Sequence, residues 1–162
     1  MKTHEAMMET VIDAIKKHGF DCIRDHNGEG RVRLFAYNLN EKKIFLSYPD
    51  IIVTKDNKVK FIIEVKFKKD NTPKAIMGII HSTNLSTHYK YKDKEEKLNK
   101  PALIIVLDDD LVDKDKKRAR KPFQIEFIKE HLDTKQFKNQ FKNLSDVTIW
   151  SETEFTENFN DK

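Results

Sequence analysis

The stretch of sequence that decides the fold reads YPDIIV at residues 48–53 and FIIEVK at residues 61–66. Each part contains an almost unbroken apolar run, which is typical of a strand covered on both faces of its sheet. Asp50, Glu64 and Lys66 are attached to these runs. A charged side chain near a core is costly unless a partner compensates it. Charges kept at such a place predict a binding or catalytic site.

The segment between the two runs, TKDNKVK at residues 54–60, predicts a tight turn, because Asp and Asn favour turns. The two runs then form a β-hairpin. With a three-residue loop, Asp50 lies opposite Glu64 on one face of the sheet, with Cβ atoms about 5 Å apart. A two-residue turn instead places Asp50 opposite Ile63 and sends the carboxylates to opposite faces. A shared site therefore predicts an odd-length loop or a β-bulge.

Two facing carboxylates repel each other unless a cation lies between them, and a hard divalent ion such as Mg²⁺ prefers oxygen ligands. Alternation along the second strand places Ile62, Glu64 and Lys66 on one face. Carboxylates, metal and lysine together suit phosphodiester hydrolysis, in which charge must be stabilised around an attacking water. The alternative is an amphipathic hairpin with a solvated Glu/Lys face and no chemistry.

At Pro49-Asp50 and Glu64-Val65-Lys66 the chain resembles the PD-(D/E)XK nuclease superfamily, which has the restriction-endonuclease-like fold. The resemblance implies a core of helix, three strands, helix and strand over residues 4–107. It implies Mg²⁺, or Mn²⁺ in its place, held by Asp50, Glu64 and the Val65 carbonyl. It implies that Lys66 acts at the nucleophilic water, and that an acidic residue of the first helix completes the site. Glu9 is the preferred candidate and Glu5 the alternative.

The rest of the chain, when read independently, fits this order. An apolar stripe with helical spacing predicts a first helix over residues 4–17, closed by His18-Gly19. Thr72-Pro73 predicts a second helix that runs to about residue 90. The other expected elements are an extended segment at 20–23, strands at 31–37 and 43–48 in a meander with the motif hairpin, a strand at 101–107, mostly helical residues at 123–141 with a break at 133–134, a strand at 147–150 and a short helix at 152–159.

The predicted fold class is α/β with a mixed α+β sheet, in one domain over residues 1–162. Residues 4–107 form the core, and residues 108–162 add C-terminal helices and a strand. Asp108, Asp109 and Asp110 follow a strand, and since successive strand residues point in opposite directions, a solvated strand end is expected there.

Basic residues near the motif predict contacts with a nucleic-acid backbone. The densest basic stretch is residues 114–121, KDKKRARK, in which we expect a mobile loop that binds phosphates by counterion release. A solvated charged loop is the alternative. The candidates are Lys68, Lys69, Lys74, His81, Lys117, Arg118 and Arg120.

Composition excludes several classes of protein. A net charge of +4 is compatible with a polyanionic partner, and one cysteine excludes an internal disulfide. The six histidines form no sequence cluster typical of a metal site, and no phosphate-binding glycine loop suggests an organic cofactor. Without a secretory or membrane-spanning segment, a cytoplasmic protein is expected.

Together these features predict an Mg²⁺-dependent DNA endonuclease of restriction type that acts as a homodimer. A repair or junction-resolving nuclease is an alternative within the same superfamily. A catalytically inactive module that binds nucleic acid or protein is the alternative from another class. The sequence leaves open DNA or RNA, and the specificity of cleavage.

Overall fold

A computed structural model describes residues 2–24, 31–67, 72–111 and 120–160 of the chain. These residues fold into three layers. Within these residues the middle layer is a five-stranded mixed sheet, and a four-stranded antiparallel sheet lies on one side of it. In chain order the elements are α1 (His4–Lys17), β1 (Asp21–Arg24), β2 (Arg33–Tyr37), β3 (Lys43–Ser47), β4 (Ile51–Lys55), β5 (Lys58–Lys66), α2 (Pro73–Leu85), β6 (His88–Tyr91), β7 (Lys94–Lys97), β8 (Ala102–Leu107), α3 (Arg120–Leu132), α4 (Lys135–Lys138), β9 (Val147–Ser151) and α5 (Glu152–Asn158). The predicted α+β class with a mixed sheet is confirmed.

The large sheet has the strand order β1-β4-β5-β8-β9. Strands β1, β4 and β5 pair antiparallel, whereas β5, β8 and β9 pair parallel. Its central strands are apolar on both faces, as their unbroken runs predict. One face packs on α1 and α5, and the other packs on α2, α3 and the small sheet.

Helix α1 has the bounds that its apolar stripe predicts. Thr3 caps its first turn by accepting a hydrogen bond from the Ala6 N–H at 3.1 Å. Gly19, at φ +79°, ends it in the left-handed region that glycine tolerates best. Met8, Ile12 and their stripe neighbours are buried against β4 and β5. This packing fixes the N-terminus of the chain beside the motif strands.

The predicted meander through residues 31–66 is wrong. Strands β2 and β3 leave the large sheet and form the small sheet, of order β3-β2-β6-β7. Strand β4 pairs instead with β1, through Arg24 opposite Ile51. The large sheet and the helices on it still follow the order helix, three strands, helix, strand, if α1, β1, β4, β5, α2 and β8 are taken in turn. Two hairpins are inserted into that order.

The second of these hairpins begins within residues expected to be helical. Helix α2 begins at Pro73 as predicted but ends at Leu85, and β6 and β7 follow. Residues 88–91, HYKY, alternate between the two faces of a strand, and Lys92 has φ +54° in the turn. Tertiary pairing of β6 with β2 has overridden helical propensity here.

The C-terminal elements complete both outer layers. The helical stretch breaks between α3 and α4 at Asp133-Thr134, as predicted. Strand β9 adds a parallel strand beside β8. Ser151 and Glu154 form a capping box that starts α5, whose Phe155 and Phe159 are buried with α1. No helix in the described ranges is long and apolar enough to cross a membrane.

Candidate active site

The motif hairpin combines a two-residue turn with a bulge. Lys55 pairs with Lys58, so that Asp56 and Asn57 form the turn, with φ +53° and +60°. The register then shifts by one residue between Val53 and Thr54. A shared site predicts an odd-length loop or a bulge, and the structure has the bulge. Without the shift, the two-residue turn would have inverted the remaining side chains of the strand.

Because of the bulge, Ile51 pairs with Ile63, and the next position places Asp50 opposite Glu64. The hairpin therefore carries Asp50, Glu64 and Lys66 on the same face of the large sheet. This is the face on which α2, α3 and the small sheet pack, since Ile52 and Ile62 belong to that core. The prediction that the three charged side chains share a face is confirmed.

Pro49 ends the ladder at this point. It is buried, and with no N–H it cannot donate to a ladder bond, so β4 begins only at Ile51. Beyond the end of the ladder a side chain supplies the acceptor, since Asp50 Oδ2 accepts the Val65 N–H at 2.7 Å. The Asp50 side chain is thus fixed at the end of the strand pair.

Glu64 lies in the interior, with only 4% of its surface exposed. Burial raises the pKa of its carboxyl to about 8, and the neighbouring Asp50 carboxylate adds to the rise, whereas Lys66 lowers it. Lys66 Nζ lies 3.2 Å from Glu64 Oε2. Glu64 and Asp50 are also hydrogen-bonded to each other, which favours the protonated form of Glu64. At neutral pH and without a cation, Glu64 therefore favours its protonated form.

His4 is a neighbour of the site that the sequence did not reveal. Its Nε2 donates a hydrogen bond to the Val65 carbonyl oxygen at 3.1 Å. That oxygen is the backbone atom implied as a metal ligand. The only signal in the sequence was the position of His4 at the first residue of the predicted helix, and histidine there carries no pattern of its own.

Glu5 and Glu9 point to a different partner. Both carboxylates bind the guanidinium of Arg24, Glu9 through Nη1 and Glu5 through Nη2. Both glutamates are more than half exposed, whereas the Arg24 side chain is mostly covered. In the described part of the chain, no group of three or more His, Cys, Asp or Glu side chains is arranged to hold a metal. The structure thus does not bring either glutamate into a three-carboxylate cluster with Asp50 and Glu64.

The predicted nucleic-acid contacts fall into two sets. Lys74 and His81 are both exposed on α2. They lie seven residues apart, which is about two turns or 10 Å on one side of a helix. Lys68, Lys69, Lys117 and Arg118 lie outside the described residues, and Arg120 begins α3 with a side chain that is also outside them.

The aspartates after β8 correct another expectation. Asp108 is buried rather than solvated, and its N–H donates to the Lys66 carbonyl at 3.1 Å. Lys2 Nζ lies 3.9 Å from the Asp108 carboxylate and 3.7 Å from that of Asp109, and it also binds Glu152. The salt bridges of Lys2 connect the residues before α1 to the end of β8, and the positive charge of Lys2 partly compensates the negative charge of the three carboxylates.

The site fits a hard divalent cation in its chemistry. Asp50, Glu64 and the Val65 carbonyl offer oxygen atoms, which Mg²⁺ and Mn²⁺ prefer. Mg²⁺ commonly binds through one or two carboxylates and keeps several waters. Burial is the main cause of the raised pKa of Glu64, and a cation would relieve the repulsion from Asp50 that adds to it.

Comparison with known proteins gives no relative: no family model, no curated protein and no solved structure matches the chain.

Proposed function

We propose that the chain is a divalent-metal-dependent endonuclease that hydrolyses phosphodiester bonds in DNA. The observation that carries this proposal is the buried Glu64 carboxyl beside the half-buried Asp50 carboxyl, with Lys66 Nζ 3.2 Å from Glu64 Oε2. Two carboxyl groups seldom lie side by side in a protein interior for structural reasons alone, because their repulsion and their desolvation are costly. A site that must take up a cation and a phosphate explains that cost.

Asp50, Glu64 and the Val65 carbonyl would hold the metal, which supplies Lewis acidity at a phosphate oxygen and acidifies a bound water. Glu64 must lose its proton before it can act as a ligand, so loading depends on pH. The Val65 N–H keeps Asp50 oriented at 2.7 Å. Lys66 remains a fixed positive charge at the reacting centre, where it would orient the attacking water and stabilise developing negative charge.

The test is cleavage of supercoiled plasmid with Mg²⁺ or Mn²⁺ by the wild type, Asp50→Asn and Lys66→Met. We expect both variants to lose at least about 100-fold in rate, the size typical for removal of a charge-stabilising group. Matched controls are Asp21→Asn, exposed on β1, and Lys60→Met, exposed on the same strand as Lys66. Both controls should cut like the wild type.

The sizes and forms of the cleavage products distinguish a specific from a non-specific nuclease and a dimer from a monomer. Discrete fragments support a restriction-type enzyme, and a smear supports a non-specific nuclease. Linear product without accumulation of nicked circles supports a homodimer that cuts both strands. If neither metal supports cutting of plasmid, branched or single-stranded DNA, the nuclease proposal is wrong, and a binding module that has lost the chemistry becomes the better account.

A further inference from the structure

The small sheet has one face that takes no part in the core. Leu34, Tyr89 and Leu98 lie on its inner side and are buried with Ile76 and Ile80 of α2. Cross-strand partners share a face, so the pairs of β2 with β3 and β6 define the other side. We call this side the open face; it carries Arg33, Phe35, Tyr37, Lys43, Phe45, His88, Lys90, Glu95 and Lys97.

Aromatic rings form the centre of the open face. Phe35 is fully buried although it points outward, because its neighbours cover it. Its ring centroid lies 5.6 Å from Tyr37, 5.7 Å from Phe45 and 5.3 Å from His88, with which it is stacked. Tyr37 is 47% exposed and Phe45 39% exposed, which is unusual for large rings on a sheet surface. They form a supported aromatic platform open to solvent.

Cations alternate with these rings. The Arg33 guanidinium lies over the Phe45 ring at 5.4 Å, and Lys43 Nζ lies over Phe35 at 5.4 Å. Cation–π contacts of this kind hold the charges beside the rings. Glu95 is the acidic residue on this face, and it binds both Lys43 and Lys90. The open face therefore has an excess of positive charge, with Arg33 and Lys97 exposed.

The platform leads towards the candidate active site. Strand β3 ends at Ser47, and three residues later the chain reaches Asp50, a span of at most about 11 Å. Tyr48, which lies between them, is 49% exposed, and the Arg31 guanidinium lies over its ring at 5.5 Å. The alternation of cation and ring thus continues from Tyr37 to the edge of the site.

We propose that the open face binds single-stranded DNA, with bases stacked on Tyr37 and Phe45 and phosphates bound by Arg33 and its neighbouring lysines. Stacking needs an unpaired base whose ring face is accessible, which a duplex does not offer. The cations match the phosphate backbone and carry no sequence preference. This inference rests on the proposed nuclease function for the identity of its ligand, and it specifies a single strand, or a melted flank, as substrate.

The test is metal-free binding, measured by fluorescence anisotropy in EDTA with a labelled oligothymidylate of about 20 nucleotides. We expect Phe45→Ala and Tyr37→Ser each to weaken binding about 10-fold, within the range for loss of one stacked base. Arg33→Gln should reduce the slope of log K against log salt by about 0.7. The controls are Phe127→Ala, which removes a ring 69% exposed on α3, and Lys17→Gln, which removes an exposed charge on α1.

Tyr37→Ser tests whether weaker binding results from misfolding, because Tyr37 is the more exposed ring and its loss disturbs packing less than the loss of Phe45. The proposal is overturned if both ring variants bind like the wild type, or if Phe127→Ala weakens binding as much. It is also overturned if a duplex binds as tightly as the single strand, or if oligouridylate binds more tightly than oligothymidylate. Plasmid cleavage that survives such a result leaves the nuclease proposal standing, because EDTA binding does not use Asp50 or Glu64.

Discussion

Lys66 Nζ lies 3.2 Å from Glu64 Oε2, beside a carboxyl group that burial and Asp50 hold in its protonated form at neutral pH. The lysine offsets part of the electrostatic cost of the carboxyl pair but not all of it, since the net shift in the pKa of Glu64 is upward. The chain therefore folds with an electrostatic cost that increases with pH, and several measurable properties depend on it.

Stability should fall as the pH rises through the range set by Glu64. Its pKa is about 8 in the folded protein, against 4.5 as the ordinary value. Below pH 4.5 both states are protonated; between 4.5 and 8 only the folded state keeps the proton, so the Glu64 contribution falls by at most about 1.4 kcal/mol per pH unit. Glu64→Gln removes this group. In metal-free urea titrations, we expect the variant to gain stability relative to the wild type from pH 5 to pH 8.

The control for that experiment is Glu130→Gln, which removes an exposed carboxylate on α3. Its difference from the wild type should show no comparable rise with pH. If the wild type and Glu64→Gln keep a constant difference in stability from pH 5 to pH 8, folding does not raise the pKa of Glu64.

Divalent cations should stabilise the folded protein, independently of any catalysis. At pH 8 a cation bound at the proposed site would replace the Glu64 proton and bind the folded state alone, which would add about 2.7 kcal/mol at a concentration 100 times Kd. We expect Mg²⁺ and Mn²⁺ to raise the Tm of the wild type and to leave Asp50→Asn nearly unchanged. Asp21→Asn is the matched control. An equal rise in Asp50→Asn would mean that the cation binds elsewhere.

His4 should affect metal binding at the Val65 carbonyl, which the proposed function makes a metal ligand. Its Nε2 donates to the Val65 carbonyl at 3.1 Å, and a hydrogen bond of this kind contributes about 1 kcal/mol. His4→Ala removes a donor that competes for this oxygen, so we expect Mg²⁺ binding to tighten by about five-fold. The measurement is the Mg²⁺ concentration that gives half of the maximal Tm shift. His81→Ala is the control, and weaker binding in His4→Ala would show instead that the ring holds the site in shape.

The hairpin turn offers a test that does not depend on function. Asn57 has φ +60°, where glycine is unstrained and a β-branched residue is not. We expect Asn57→Gly to stabilise the protein slightly and Asn57→Val to destabilise it by about 1–2 kcal/mol in urea titrations. Asn99→Val, at a residue without positive φ, is the control. No difference between the two valine variants would contradict the turn.

The sequence predicted those parts of the fold that local signals determine. Helix α1, the motif hairpin, the start of α2 and strand β8 follow from apolar spacing, turn residues and caps. The placement of Asp50 opposite Glu64 was predicted from the number of residues between them, on condition that the hairpin has an odd-length loop or a bulge. The Asp56-Asn57 turn alone predicts the register in which the two carboxylates lie on opposite faces. The expectation of a shared site predicted the correct register, because it required a bulge or an odd-length loop.

The small sheet could not be predicted in the same way. Strand β6 pairs with β2 across more than 50 residues, and no local pattern encodes such a partner. The salt bridges from Arg24 to Glu5 and Glu9 depend on the packing of α1 beside β1. Helix periodicity alone could therefore not show that the Arg24 guanidinium binds these two carboxylates. His4 was missed for the same reason.

The two inserted hairpins that build the small sheet both leave the large sheet and return to it. Strand β1 pairs with β4 across the first insertion, and β5 pairs with β8 across the second. The register of Asp50 and Glu64 is therefore fixed by strands that lie outside either insertion. Substitutions on the open face of the small sheet, whether selected in evolution or introduced by design, would therefore change the surface for which we propose DNA binding and leave in place the strand pairing that sets the carboxyl pair.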